Sequence, residues 1–184
     1  MTTTPPELAF AGYRLLAAAA DDPILTKWRG VRTQLDCGPL HDAWSPGADI
    51  AAWNAHVNAA IRYRSEPPGA DTWQTPAVTL AKLTGDCEDF AILKYALFAA
   101  SGLSEQRLRV VVGQIKSIAG NQDHAWLGLF LDGAWRALDC KFDSIVAVTD
   151  YLNWLPMVAV HADTGVIYGR EFSIGEILGG ESRS

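Results

Sequence analysis

The chain has 184 residues, of which 15 are basic and 21 acidic, for a formal net charge of −6. That balance argues against a nucleic-acid footprint, which needs a basic face, and no apolar run approaches the ~20 residues that span a bilayer. With 49% apolar and 20% charged residues, the chain reads as one globular domain over 1–184. A domain of this length buries roughly 70% of its unfolded surface and folds without staples.

Residues 1–4 and 179–184 read as loose ends. Pro5–Ala20 predicts an amphipathic helix opened by Pro5 and Pro6. A secretory signal needs a basic start and a continuous apolar core, whereas Arg14 sits inside the apolar part and Glu7 precedes it. As written, the chain reads as cytoplasmic. Asp49–Tyr63 carries Ile50, Trp53, Val57 and Ile61 at helical spacing. A breaker-rich loop follows at Ser65–Asp71, then a short helix at Pro76–Leu83 ended by Thr84-Gly85.

Glu88–Ala100 is apolar nearly all round, interrupted by Lys94, which predicts a helix buried on most sides and closed by Gly102. The period then changes to two. Leu108–Ile115 predicts a strand, and Ala125–Leu131 and Ala134–Leu138 predict a hairpin around Asp132-Gly133. A further strand pair is expected at Met157–His161 and Val166–Tyr168 around Asp163–Gly165, and Ser173–Glu176 resembles a capping box. Helices first and antiparallel strands later indicate an α+β fold, with the buried helix packed on an antiparallel sheet.

Cys37, Cys87 and Cys140 are an odd, widely spaced set that fits neither a disulfide framework nor a CxxC zinc site. Cys87 stands out because it opens the buried helix within Gly85-Asp-Cys-Glu-Asp89. There, unpaired backbone N–H groups and the positive end of the helix dipole favour a thiolate. A two-residue turn at Asp132-Gly133 makes opposed residues sum to 265, so His124 and Asp139 fall on one face, one diagonal step apart. A thiolate, an imidazole and a carboxylate in this order suit nucleophilic catalysis. Cys87 attacks a carbonyl, His124 transfers the proton and Asp139 orients the ring. The Cys87 N–H supplies one oxyanion donor, with Gln74 and the Trp73 indole as candidates for a second.

Asp86, Glu88 and Asp89 oppose thiolate formation, each by on the order of 1 kcal/mol at about 7 Å. Carboxylates are also what Ca²⁺ prefers, although no EF-hand spacing is present.

The run Gly85–Ala91, followed by His124 and Leu138-Asp139, resembles the bacterial transglutaminase-like cysteine proteinases. Val57-Asn58, Trp73–Pro76 and Leu80 extend the resemblance, which covers roughly residues 50 to 160. Best known in that family are calcium-dependent periplasmic proteases that clip adhesins from the cell surface. The resemblance implies a papain-like, transglutaminase-type core and a triad of Cys87, His124 and Asp139. It also implies a calcium site using Asp86 and Glu88 with Asp89, a protein or peptide substrate, periplasmic residence and a membrane receptor as partner. Cys140 stands where the adhesin proteases tend to have an amide residue. Three readings stay open: a cysteine endopeptidase, acyl transfer or deamidation by the same triad, and a non-catalytic interaction domain.

Overall fold

Cys87–Ala100 forms the helix around which the other elements are arranged, and every side chain from Cys87 to Phe98 is buried. The computed structural model describes residues 5–37, 49–67 and 70–170. Helices are α1 (Pro23–Arg32), α2 (Ile50–Ala60), α3 (Pro76–Lys82) and α4 (Cys87–Ala100). Strands are β1 (Tyr13–Ala17), β2 (Arg62–Tyr63), β3 (Thr84–Gly85), β4 (Leu108–Ile115), β5 (Gln122–Leu131), β6 (Ala134–Leu138), β7 (Val146–Ala147), β8 (Trp154–His161) and β9 (Thr164–Arg170). Seven strands form one antiparallel sheet in the order β1-β9-β8-β4-β5-β6-β7, and the short β2 and β3 pair in parallel beside it. The fold is α+β, as the order of periodicities implies.

Helix α4 packs on β4 and β5, so Phe90, Leu93, Leu97 and Phe98 share a core with Leu108, Val110, Leu127 and Leu129. Each fully buried Leu or Phe of this kind stabilises the fold by about 1.5–3 kcal/mol. Gly102 ends the helix at φ +89°, and the Leu103 N–H returns to the Phe98 carbonyl at 3.1 Å.

Asp132 and Gly133, both at positive φ, make the two-residue turn, and Leu131↔Ala134 through Leu127↔Leu138 follow the expected register. Strand β5 begins earlier than expected, at Gln122, because Gln122–His124 pair with Gly113–Ile115 of β4. The β8–β9 turn falls on Ala162-Asp163, and Gly165 lies inside β9 opposite Val160. Helix α2 stops at Ala60, and after Ile61 the chain leaves it so that Arg62 and Tyr63 pair with Thr84 and Gly85 of β3. Ser173–Glu176 lies outside the described residues, as do the two expected loose ends.

The expected helix over Pro5–Ala20 is corrected. Gly12 at φ +80° turns the chain into β1, which pairs with β9 from Tyr13↔Arg170 to Ala17↔Val166. Ahead of that turn, the segment covers a second core containing Val111, Trp126, Trp135, Trp154 and Tyr168. Leu8 is buried there, Phe10 meets Tyr168 edge-on at 5.0 Å, and Trp135 Nε1 donates to the Pro6 carbonyl at 3.0 Å. Tertiary pairing thus overrides weak local helix propensity. Helix α1, which periodicity left unassigned, starts where Asp22 Oδ1 accepts from the Ile24 and Leu25 N–H groups, with Pro23 at its first position.

One glycine shapes the sheet beside the site. Gly113 pairs with His124, and a Cβ there would meet the Leu155 carbonyl oxygen at 2.3 Å and the Trp154 ring at 2.6 Å. The β4–β8 register shifts between Val112, opposite Val158, and Gly113, opposite Pro156, so β8 carries Met157 as an extra residue there.

Candidate active site

Cys87 occupies the first helical position of α4 and is 9% exposed. Its thiol donates to Glu88 Oε2 at 3.3 Å. Burial first, and then the charge and hydrogen bond of Glu88, push the thiol well above the ordinary range. A contact with the Ala125 backbone N–H acts the other way and places the sulfur beside the residue after His124.

His124 Nε2 lies 2.8 Å from Asp139 Oδ2, with both side chains buried. Because Nε2 is engaged by the carboxylate, Nδ1 is the ring nitrogen left to exchange a proton with another group. The ring also meets Trp154 edge-on at 6.3 Å.

Asp139 is held from all sides. Oδ1 accepts from the Lys141 N–H at 2.8 Å, and Oδ2 accepts the Tyr151 hydroxyl as well as the imidazole. Its backbone carbonyl accepts from Asn58 Nδ2 at 3.0 Å and from Lys94 Nζ at 3.1 Å. Burial alone would raise the Asp139 pKa, but the hydrogen bond and charge of His124, with Tyr151 and Lys141, outweigh it and hold the carboxyl below the usual range.

Cys87 and His124 line one cavity of about 380 Å³, together with Trp73, Asp86, Glu88 and Gly113. Gln74, the other candidate donor, points elsewhere. Its amide donates to Asp89 and to the Thr84 carbonyl, and it lines a neighbouring cavity with Asp89 and Gly85.

The acidic triplet divides by its partners. Asp89 Oδ1 accepts from the Gln74 N–H at 2.8 Å, and Oδ2 accepts from the Gln74 side chain and from the Asp86 N–H at 3.3 Å. Asp89 therefore ties the approach loop to the start of α4. A Cβ on Gly85 would meet it at 2.6 Å, which is why the backbone there carries no side chain. Asp86 differs: it is 8% exposed, and its Oδ1 has no hydrogen-bond partner among the described residues. Burial, then the charges of Glu88 and Asp89, push its carboxyl up to about 8.

An oxygen-seeking cation fits Asp86 and Glu88, since an orphaned buried carboxylate oxygen beside a second carboxylate is the donor chemistry it needs. Among the described residues, the triplet's ligand atoms do not converge on one point. The group that does converge is His124, Asp139 and Cys140, whose ligand atoms lie within 4.8 Å of one another. Cys87 and Cys140 are free thiols. Burial and the Asp139 charge push the Cys140 thiol up to about 12.

Tyr151, Asn58 and Lys94, which hold Asp139, were not assigned that task by sequence reasoning. Lys94 carried a signal, being the one charge in an otherwise apolar helix after its first turn. Tyr151 carried none, because its reach to Asp139 depends on a loop path that spacing does not fix.

The profile of a family described as bacterial transglutaminase-like cysteine proteinase BTLCP matches residues 39–156. Among solved structures, calcium-bound LapG of Legionella pneumophila is 24% identical with a TM-score of 0.56, covering 81% of each chain. Its EGTA-treated form is 23% identical with a TM-score of 0.57, covering 82% of each chain. At these identities the likeness shows a shared fold. No curated protein matches the chain by sequence. No helix among the described residues is long and apolar enough to cross a membrane. Since the profile spans more than half its length, the chain belongs to the bacterial transglutaminase-like cysteine proteinases and is a cysteine peptidase of that family.

Proposed function

We propose that the chain is a cysteine endopeptidase in which Cys87 is the nucleophile, His124 the proton carrier and Asp139 the group that orients it. The observation that carries this reading is the cavity shared by Cys87 and His124, with His124 anchored on Asp139 at 2.8 Å. The Cys87 sulfur attacks the scissile carbonyl as its proton passes to His124. The tetrahedral oxyanion is met by the Cys87 N–H at the start of α4 and by the Trp73 indole N–H from the cavity wall. His124 returns the proton to the leaving amine, leaving a thioester, then takes a proton from the water that attacks it and passes that proton to the Cys87 sulfur as the C–S bond breaks. Asp139 keeps the imidazole oriented and stabilises its protonated form.

Calcium belongs to this proposal, with Asp86 and Glu88 as the residues that would hold it. When bound, it supplies positive charge beside the thiol. Asp89, committed to Gln74 and the Asp86 N–H, supports the loop instead. The substrate is a protein or peptide. A periplasmic setting and a membrane receptor follow from the family resemblance.

The test is a proteome-derived peptide library with a labelled amine present, read by mass spectrometry for wild type and Cys87→Ser. Internal cleavage that disappears in the variant supports the proposal. Amine incorporation without cleavage would make the enzyme an acyl transferase, and absence of any acyl-enzyme at Cys87 would reduce it to an interaction domain.

A further inference from the structure

We infer that the Cys87 cavity selects a peptide segment carrying positive charge beside the bond it cuts, with Glu66 and Asp123 as the residues that set this preference. The inference rests on the peptidase reading of Cys87. Among the described residues, five carboxylates line the cavity (Glu66, Asp71, Asp86, Glu88 and Asp123), and no lysine or arginine does.

These five are not equivalent. Asp71 is ion-paired with Lys27, and Asp86 and Glu88 are the pair that suits a cation. Glu66 and Asp123 remain. Glu66 Oε2 accepts from the Thr72 N–H at 2.6 Å and Asp123 Oδ1 from Gln114 Nε2 at 2.8 Å, both neutral donors. Neither residue forms an ion pair among the described residues. Glu66 lies on the loop after β2, and Asp123 sits next to His124 on β5, so neither belongs to the Asp86 and Glu88 pair that would hold a cation.

Two further observations point to a cationic ligand. Asp86 Oδ1 is a buried carboxylate oxygen of the lining without a partner among the described residues. The Tyr63 and Trp73 rings share the lining, and aromatic faces attract cations. Val112 and Met157 supply apolar surface, so the segment that fits is an extended peptide with uncharged side chains at the bond and lysine or arginine flanking it. A cleft lined by one sign of charge enriches the opposite sign by roughly tenfold or more at low salt.

The experiment compares alkylation of Cys87 by iodoacetate, iodoacetamide and 2-bromoethylammonium, each rate divided by that of free 2-mercaptoethanol. It is run on wild type, on the Glu66→Gln, Asp123→Asn double variant and on the Glu66→Lys, Asp123→Lys double variant. Both residues sit at the surface or half-buried, so the replacements leave the core intact. The normalised cation-to-anion ratio is expected to drop about threefold in the neutral variant and about tenfold in the lysine variant, and the differences should shrink as salt rises. An unchanged ratio across the three proteins overturns the inference, even if peptides are cleaved. A charge-dependent ratio without peptide cleavage upholds the selectivity of the cavity while sinking the peptidase reading.

Discussion

Tyr151 and His124 share one oxygen: the tyrosine hydroxyl and the imidazole Nε2 both meet Asp139 Oδ2. Tyr151 is held for this by stacking on Trp126 at 5.8 Å and by an edge contact with Trp154 at 5.8 Å. The Tyr151→Phe variant keeps the ring packing and removes one donor from Asp139. Its folded-state pKa then moves back up toward the usual carboxylate range, because one of the groups holding it down is gone. Acid unfolding followed by circular dichroism is expected to begin at higher pH in Tyr151→Phe than in wild type. An identical acid midpoint would show that the contact does not stabilise the charged carboxylate.

The depressed Asp139 pKa has a defined pH consequence. Its stabilisation is fully present above the ordinary carboxylate pKa of about 3.9 and is lost as pH falls through the folded value. The Asp139→Asn variant lacks that acid-side loss, so its stability relative to wild type improves as pH falls below about 4. Its peptidase turnover falls by roughly 10²–10⁴, in line with loss of a charged orienting group. Denaturant titrations at several pH values and a turnover assay check the two halves separately.

Lys94 is buried, and desolvation lowers its pKa to about 8, against the charges of Cys140 and Asp139. Between about pH 8 and the ordinary lysine range, the unfolded chain keeps a proton that the folded chain has lost, so stability rises with pH across that window. Moving the pKa from 10.5 to about 8 corresponds to a contribution on the order of 3 kcal/mol. Relative to wild type, Lys94→Met is therefore expected to be more stable at pH 7, with the advantage shrinking as pH approaches 10. Urea midpoints measured across that range decide it; a difference that is constant with pH would contradict the assignment.

Calcium should raise the melting temperature, because binding to the folded state alone stabilises by about 2.7 kcal/mol at a hundredfold excess over Kd. That corresponds to roughly 5–10 °C for a chain of this length. Asp86→Asn and Glu88→Gln should abolish the shift, whereas Gln74→Ala, which removes the side-chain bonds to Asp89 and the Thr84 carbonyl and leaves Asp86 and Glu88 in place, should leave much of it. Calorimetry with calcium and with EGTA checks this, and equal melting temperatures for wild type in both would remove the metal from the account.

The parts legible in sequence were those fixed by short-range rules. The apolar run after Cys87 has no polar face to expose, and Asp132-Gly133 sets a register in which opposed residues sum to 265, so α4 and the β5–β6 hairpin followed directly. That register also put His124 within reach of Asp139. Long-range pairing was not legible. Pro5–Ala20 has local helix character, yet its fate depends on β9 and on a second core whose tryptophans lie more than a hundred residues away. Gln74 looked available to an oxyanion, but the partner that draws its amide away, Asp89, lies 15 residues along the chain. The clamp on the Asp139 carbonyl from Asn58 and Lys94 joins two helices to one strand end, a geometry that no local pattern encodes.

The proposed mechanism turns on the activation of Cys87 by His124. Substoichiometric iodoacetamide at neutral pH with calcium present, followed by peptide mapping, tests it most directly. Label is expected to accumulate on Cys87 well ahead of Cys37 and Cys140, and His124→Ala to lower the Cys87 rate to theirs. Equal labelling of the three cysteines in wild type, or a Cys87 rate untouched by His124→Ala, would contradict it.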